Sequence, residues 1–383
     1  MRTVALPLFI ATCMVVDYAN AQSGTLFVSR PHQVVKLVDL NSDGDYLDFA
    51  ERTVFADGLP AGLDRITVRG QFLFVGASQS AEVFVLEDRN GDGDAFDSAE
   101  VLVYGRLPAV DPAPMLAGLA TGADGRVFFA DAANGTLHVL RDLNRDGDAL
   151  DIDEALTVAD LLNSPVAVSL RSDGVVLVAQ LDFDIPIRIL EDRNGDGDFL
   201  DFAENLSYSE GIAPGEDLAV LDRQHSFLVR AASGEVVQLR DLTGDNDVLD
   251  FSEVILYASG LTAGTVLTTD GANGLYIGAG DPGGTIYFVR DLNADGDALD
   301  FGEVVPVADG LDQAGGIVFV PTEQEKCMKG DINADAVVDF DDVIFFVDVL
   351  VGNTIPRDFC PSDIDGNGEV NGEDVQALIE LLI

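Results

Sequence analysis

Asp88-Arg89-Asn90-Gly91-Asp92-Gly93-Asp94-Ala95-Phe96-Asp97-Ser98-Ala99-Glu100 is one of six near-copies in a chain of 383 residues. The copies begin at Asp39, Asp88, Asp142, Asp192, Asp241 and Asp291, so neighbours are spaced by 49, 54, 50, 49 and 50 residues. So steady a period marks a repeat architecture, in which each unit hides its apolar face against the next.

The shared pattern is Asp-x-Asn-x-Asp-Gly-Asp-x-x-Asp-x-x-Glu. Oxygen-bearing side chains at alternate positions of a tight turn can converge on one point, and a large hard cation such as calcium takes six to eight oxygens. Glycine at position 6 takes the positive φ that a side chain resists. The candidate ligands are Asp39, Asn41, Asp43, Asp45, Asp48 and Glu51 in the first copy, and Asp88, Asn90, Asp92, Asp94, Asp97 and Glu100 in the second. The third offers Asp142, Asn144, Asp146, Asp148, Asp151 and Glu154, and the fourth Asp192, Asn194, Asp196, Asp198, Asp201 and Glu204. The fifth offers Asp241, Thr243, Asp245, Asp247, Asp250 and Glu253, and the sixth Asp291, Asn293, Asp295, Asp297, Asp300 and Glu303. The first six positions resemble an EF-hand loop, but the bidentate Glu that an EF-hand carries at position 12 is replaced by Asp at 10 and Glu at 13. The expected shell is Asp 1, Asn 3, Asp 5, the carbonyl of residue 7 and Asp 10, with Glu 13 either a ligand or a partner that orients one. The fifth copy is the weakest, with Thr243 for Asn and Asn246 for Gly. The alternative is a set of solvated acidic turns, which six matching copies disfavour.

Between the loops, short apolar or alternating runs are separated by Gly, Asp and Asn turns. The stretch from Glu51 to Asp88 predicts strands at Arg52 to Phe55, Asp64 to Val68, Phe72 to Gly76 and Glu82 to Leu86, with Val101 to Tyr104 beyond the loop. Four strands per fifty residues is one blade of a β-propeller. The third repeat, from Gly118-Leu119-Ala120 through Asp124-Gly125-Arg126-Val127-Phe128-Phe129-Ala130-Asp131 to Leu137-His138-Val139-Leu140, resembles the NHL-type repeat of six-bladed propellers. The first repeat lacks an inner strand, and Gly316-Ile317-Val318-Phe319-Val320 is left over after the sixth loop. Placed in the first blade, that segment closes a ring and removes an open sheet edge. The fold class expected is therefore mainly β, a six-bladed propeller over residues 22–321 followed by a small helical module. A linear solenoid is the second reading, and it leaves the extra strand unexplained.

Arg2, an apolar run from Val4 to Val16 and Ala19-Asn20-Ala21 resemble a secretory signal peptide cleaved after Ala21. The run is shorter than the roughly 20 residues of a membrane span. A lipoprotein signal at Cys13 is the poorer match, because Thr12 stands where such signals carry Gly or Ala. The formal net charge is -47, from 68 acidic and 21 basic residues, and thirty of the acids sit at loop motif positions. That balance argues against nucleic acid and anionic membranes as partners, since both need clustered Lys and Arg. An exported chain meets abundant calcium, and its remaining Cys327 and Cys360 are expected to pair.

A second calcium pattern follows a polar linker at Thr322 to Lys326. Asp331-Ile332-Asn333-Ala334-Asp335-Ala336-Val337-Val338-Asp339-Phe340-Asp341-Asp342 precedes an apolar run from Val343 to Val351. Asp363-Ile364-Asp365-Gly366-Asn367-Gly368-Glu369-Val370-Asn371-Gly372-Glu373-Asp374 precedes Val375 to Ile383. This pair, over about Cys327 to Ile383, resembles a dockerin, a duplicated calcium loop and helix that binds cohesin modules on scaffold proteins. The resemblance implies ligands at Asp331, Asn333, Asp335, Asp339 and Asp342, and at Asp363, Asp365, Asn367, Asn371 and Asp374. Ala336 replaces the turn glycine, and Phe340-Asp341 and Gly372-Glu373 replace the Ser-Thr type of recognition pair.

No serine elbow, zinc triad or phosphate loop is legible, and His32, His138 and His225 fall at unrelated repeat positions. Two functions follow. The first is a secreted, non-catalytic calcium-binding module for a carbohydrate or cell-surface ligand, docked through its tail to a cohesin-type scaffold. The second is a polysaccharide-degrading enzyme with a carboxylate pair at the channel mouth. Asp64, Glu216 and Asp217 are the carboxylates outside the loops, without diagnostic spacing, and the lack of Trp disfavours sugar stacking.

Overall fold

A computed structural model describes residues 24–107, 111–122, 124–261, 264–280, 283–321, 329–330, 332, 338, 340–350, 362, 364 and 371–382. Among them are six four-stranded antiparallel sheets. The first holds β1 (Gly24–Arg30), β2 (Gln33–Val38) and β3 (Arg52–Ala56), and the second β4 (Leu63–Arg69), β5 (Phe72–Ala77), β6 (Glu82–Leu86) and β7 (Val101–Arg106). The third holds β8 (Leu116–Thr121), β9 (Val127–Asp131), β10 (Thr136–Leu140) and β11 (Ala155–Ala159), and the fourth β12 (Pro165–Leu170), β13 (Val176–Gln180), β14 (Ile187–Leu190) and β15 (Asn205–Ser209). The fifth holds β16 (Asp217–Val220), β17 (His225–Arg230), β18 (Glu235–Arg240) and β19 (Val254–Ser259), and the sixth β20 (Gly264–Thr269), β21 (Gly274–Ala279), β22 (Ile286–Arg290) and β23 (Val304–Ala308). The leftover segment forms β24 (Gly316–Pro321) and pairs with β1, Thr25 opposite Val320 and Val28 opposite Ile317. The ring is a closed six-bladed propeller, and the solenoid reading is set aside.

Burial explains why the middle strands lack a polar face. All six residues of β5 and of β21 are buried, because these strands are covered on both sides by neighbouring blades. The core accordingly lies between blades. Phe74 and Tyr104 of the second blade cluster with Leu119, Phe129 and Leu140 of the third, and Leu26 and Val35 of the first with Tyr276 and Val307 of the sixth. On the closing strand, Phe319 stacks on Tyr276 at 5.3 Å, joining the first and last blades. Gly316 is needed there, since a Cβ would lie 2.9 Å from the backbone nitrogen of Ile66 in the second blade.

Each outer strand carries one irregularity at the same place. Pairing slips between Val34 and Val35, Val83 and Phe84, Leu137 and His138, Ile187 and Arg188, Val236 and Val237, and Ile286 and Tyr287. The outer-strand residues skipped are Phe55, Tyr104, Val158, Tyr208, Tyr257 and Val307. Such a bulge leaves one residue without a ladder partner and re-aims its peptide groups.

In the tail, α1 (Phe340–Leu350) and α2 (Gly372–Leu382) begin three residues earlier than the apolar runs predicted. Both carry Asp at the third helical position, and Asp374 Oδ2 accepts the Asn371 amide at 2.9 Å as in a capping box. Ile332, Phe346, Ile364 and Leu378 form one small core. Cys327, Cys360 and most of the tail's predicted ligands, namely Asp331, Asn333, Asp335, Asp339, Asp363, Asp365 and Asn367, lie outside the described residues, as does the signal sequence. No helix among the described residues is long and apolar enough to cross a membrane.

Replacing Phe319 by Ala should cost about 3 to 5 kcal/mol in denaturant unfolding. A loss below about 1 kcal/mol would show that ring closure does not depend on the stack.

Candidate metal centres

Each acidic loop leaves the third strand of its blade, and backbone amides organise its carboxylates. Asp 1 accepts the amides of positions 4 and 6: in the first loop Ser42 and Gly44 donate to Asp39 at 2.6 and 3.0 Å, and in the fourth Gly195 and Gly197 donate to Asp192 at 2.6 and 2.9 Å. Asp 7 accepts the amide of position 9, as Leu47 donates to Asp45 and Leu299 to Asp297 at 2.9 and 3.0 Å. The side chain at position 7 thus caps the turn.

Glu 13 is buried in all six loops. One oxygen accepts the amide of position 2 and the other the amide of position 10: Leu40 and Asp48 donate to Glu51 at 2.9 and 3.1 Å, and Arg89 and Asp97 to Glu100 at 3.0 and 2.8 Å. The same pair of bonds recurs at Glu154, Glu204, Glu253 and Glu303. These bonds close the loop from both ends, and carboxylate oxygens of Glu51 and Glu204 also stand in the candidate metal groups of the first and fourth loops.

Asn 3 bridges two carboxylates. Its Nδ2 approaches Oδ2 of both Asp 5 and Asp 10: Asn41 reaches Asp43 and Asp48 at 2.9 and 2.6 Å, and Asn90 reaches Asp92 and Asp97 at 3.0 and 2.6 Å. Asn144, Asn194 and Asn293 do the same with Asp146 and Asp151, Asp196 and Asp201, and Asp295 and Asp300. Two carboxylate oxygens therefore meet at one amide nitrogen, while Oδ1 of the same side chain accepts the position-5 backbone amide, as from Asp43 to Asn41 at 3.0 Å. Carboxylate oxygens of Asp39, Asp43 and Glu51 lie within 4.8 Å of one another, as do those of Asp196, Asp198 and Glu204. These are positions 1, 5 and 13 of the first loop and 5, 7 and 13 of the fourth, all hard oxygen donors of the kind a divalent cation such as calcium takes.

Position 8, which the motif treats as variable, joins the blades. Its amide donates to the carbonyl of the bulged residue in the preceding blade: Tyr46 to Val307, Ala95 to Phe55 and Phe199 to Val158 at 2.7 Å each. Ala149 to Tyr104, Val248 to Tyr208 and Ala298 to Tyr257 complete the circle at 2.5, 2.9 and 2.7 Å. The position-8 side chains are all buried. The loops therefore do more than join the third strand of a blade to its outer strand, because they also clasp one blade to the next. The available signal was the apolar or small residue always standing between Asp 7 and Asp 10. Burial raises the Tyr46 hydroxyl to about 12 and the Tyr257 hydroxyl to about 12. At position 11, Phe49, Phe202, Phe251 and Phe301 are almost fully exposed.

The central channel has a volume of about 240 Å³. Arg65 of β4 crosses it: Nε donates to Ala117 O at 2.6 Å, Nη1 to Gly315 O at 3.1 Å, and Nη2 to Val166 O and Glu216 O at 2.9 and 3.2 Å. One guanidinium so ties the innermost segments of four other blades. Asp217 accepts the Leu218 and Leu267 amides at 3.0 Å each, linking the fifth and sixth blades. Burial pushes its carboxyl up, and Arg65 opposes this. Glu216 accepts the Ala231 amide at 2.6 Å. Asp64 is half-buried beside Arg65 at the start of the same strand. His138 lies between Thr136 and Thr157, and burial lowers its pKa. His32 contacts the Leu59 carbonyl, and His225 pairs with Asp222, so the three histidines do not share a site.

In the tail, Asp342 and Asp374 are fully buried, and Asp342 Oδ1 accepts the Ile332 amide at 2.7 Å.

Residues 8–137 match the sequence profile of a family described as "Domain of unknown function (DUF7133)", about a third of the chain. No curated protein matches. A solved structure entitled "Crystal structure of Nidogen/Laminin Complex" is similar at a TM-score of 0.55 and 12% identity, covering 78% of this chain and 98% of that one. At that identity the likeness concerns the propeller fold alone.

Glu100→Gln should destabilise the protein by about 1 to 3 kcal/mol in calcium and in chelator alike, because an amide nitrogen would face a backbone N–H. A loss confined to calcium buffer would make Glu100 a ligand instead of a loop closer. Arg65→Met should cost about 2 to 4 kcal/mol by leaving four channel carbonyls without their donor. Thermal or denaturant unfolding that matches the parent chain would remove Arg65 from the ring's supports.

Proposed function

We propose that this chain is an exported, calcium-stapled β-propeller that serves as a non-catalytic binding or scaffold module, displayed through a C-terminal calcium module of dockerin type. The observation that carries the reading is the convergence of Asn 3, Asp 5 and Asp 10 on one point in five loops, each attached to an interblade bond. Asp 1, Asn 3, Asp 5, Asp 10 and the carbonyl of residue 7 would hold the ion, which supplies positive charge among five carboxylates per loop. The tail would hold two further ions at the ten positions implied by the dockerin resemblance, and its partner would be a cohesin-type module. Export with cleavage after Ala21 places the protein where calcium is plentiful, and Cys327 and Cys360 would bridge there.

The ligand class proposed is a carbohydrate or cell-surface molecule. A rim that exposes Phe49, Phe202, Phe251 and Phe301 offers apolar contact to such a partner. The catalytic alternative places its carboxylates in the channel. There Arg65 spans the opening, and Glu216 and Asp217 are engaged by backbone amides. The binding role therefore has the better support.

At free calcium about tenfold above the dissociation constant, each site adds about 1.4 kcal/mol. For a domain of this size that is about 2 °C per site, so chelation should lower the melting temperature by roughly 10 °C and Asp92→Ala by about 2 °C. Calorimetry with calcium and with chelator measures both, and equal melting temperatures would overturn calcium as a staple. A carbohydrate array probed with the purified protein, with and without calcium, tests the ligand.

A further inference from the structure

The fifth loop departs from the other five in three ways that belong together. Thr243 replaces the bridging carboxamide, so among the described residues this loop alone lacks the link between positions 3, 5 and 10. Asn246 replaces the turn glycine and adopts a φ of 72°, which Asn tolerates better than most side chains. Its Oδ1 then accepts from Nη1 and Nη2 of Arg171, and from Nη2 of Arg223, at 3.3 Å each.

Both arginines come from outside the loop. Arg171 follows β12 of the fourth blade, is buried, and is itself held by Asp173 through Nε and Nη2 at 3.0 and 2.7 Å. Arg223 lies in the turn between β16 and β17. From the same turn, the Gln224 carbonyl accepts the Asp241 amide at 3.0 Å. Asp241 is 2% exposed, the one position-1 Asp of the six that is buried.

Despite the missing bridge, the loop keeps its shape. Gly244 and Asn246 amides still donate to Asp241, Leu242 and Asp250 amides to Glu253, and Val248 to Tyr208 O. We infer that the fifth loop is locked by the guanidinium groups of Arg171 and Arg223 through Asn246 in place of a divalent ion, so that the clasp between the fourth and fifth blades is independent of metal. The inference rests on the calcium reading for the other five loops and refines it. The lock acts at position 6 and not at the carboxylates: Arg171, held by Asp173, and Arg223 fix the turn through Asn246, and a delocalised guanidinium is readily held in such a partly buried position. Calcium depletion would then loosen the ring at its other blade junctions and leave one pair of blades joined.

The test uses the full exported chain with calcium chloride or EGTA. Native mass spectrometry should show one ion fewer in Asp92→Ala and an unchanged count in Asp245→Ala. On chelation, amide exchange at Ala95, Ala149 and Phe199 should accelerate more than about tenfold, and at Val248 less than about twofold. Arg171→Gln should accelerate exchange at Val248 in both buffers alike. The double change Thr243→Asn and Asn246→Gly, which restores the common pattern, should gain one ion. An ion lost from Asp245→Ala, Val248 opening with the others on chelation, or Val248 unaffected by Arg171→Gln would each overturn the lock. No ion lost from Asp92→Ala would instead overturn the calcium reading, and the Arg171→Gln result would still decide the lock.

Discussion

The propeller depends on a bond repeated six times, from the amide at loop position 8 to the carbonyl of a bulged residue in the blade before. An outer strand that paired regularly would spend that carbonyl in its own ladder or point it elsewhere. The bulge at Phe55, Tyr104, Val158, Tyr208, Tyr257 and Val307 frees it, and the same residues bury their side chains under the incoming loop. Local irregularity in one blade is thus the docking point for the next. The bond from Tyr46 to Val307 extends the series across the junction where β24 closes the ring.

This arrangement makes a crowded acidic loop part of a packed interface. Five carboxylates within thirteen residues repel one another, and the chain answers with amides: Asp 1, Asp 7 and Glu 13 accept backbone N–H groups at both ends of the turn. Charge-assisted bonds of this kind are stronger than neutral ones. Asp 5 accepts the position-7 amide through Oδ1, and the Oδ2 atoms of Asp 5 and Asp 10 meet at the side-chain amide of Asn 3. The acidic cluster and the blade-to-blade bond thus share one loop.

The centre of the disc follows the opposite rule. Whereas the rim repeats, the channel uses single residues that break the symmetry: Arg65 in one blade, Asp217 in another. A guanidinium has five donors in a rigid fork, enough to satisfy carbonyls from four blades at once.

Much of the architecture is legible in the residues. The six-fold recurrence from Asp39 to Asp291, the period-2 runs between loops and the surplus segment at Gly316 state the blade number and the closure, because periodic burial needs periodic side chains. The position-6 glycine is legible for the same reason, since a tight turn is decided by its own few residues: Gly44, Gly93, Gly147, Gly197 and Gly296 all take positive φ. Position 8 was not legible as a clasp, nor Glu 13 as a loop closer. Arg65 as a bolt and the pairing of Arg171 and Arg223 with Asn246 were equally hidden. Apart from the Glu 13 bonds, whose partners stand 3 and 11 positions away, these contacts join residues dozens to hundreds of positions apart, and the partners are mostly backbone groups, which every residue carries and no side-chain pattern reveals. What the sequence determined by itself is a ring of six acidic-looped blades. Which atoms close each loop and lock blade to blade was decided only when the tertiary structure brought those atoms into hydrogen-bonding distance.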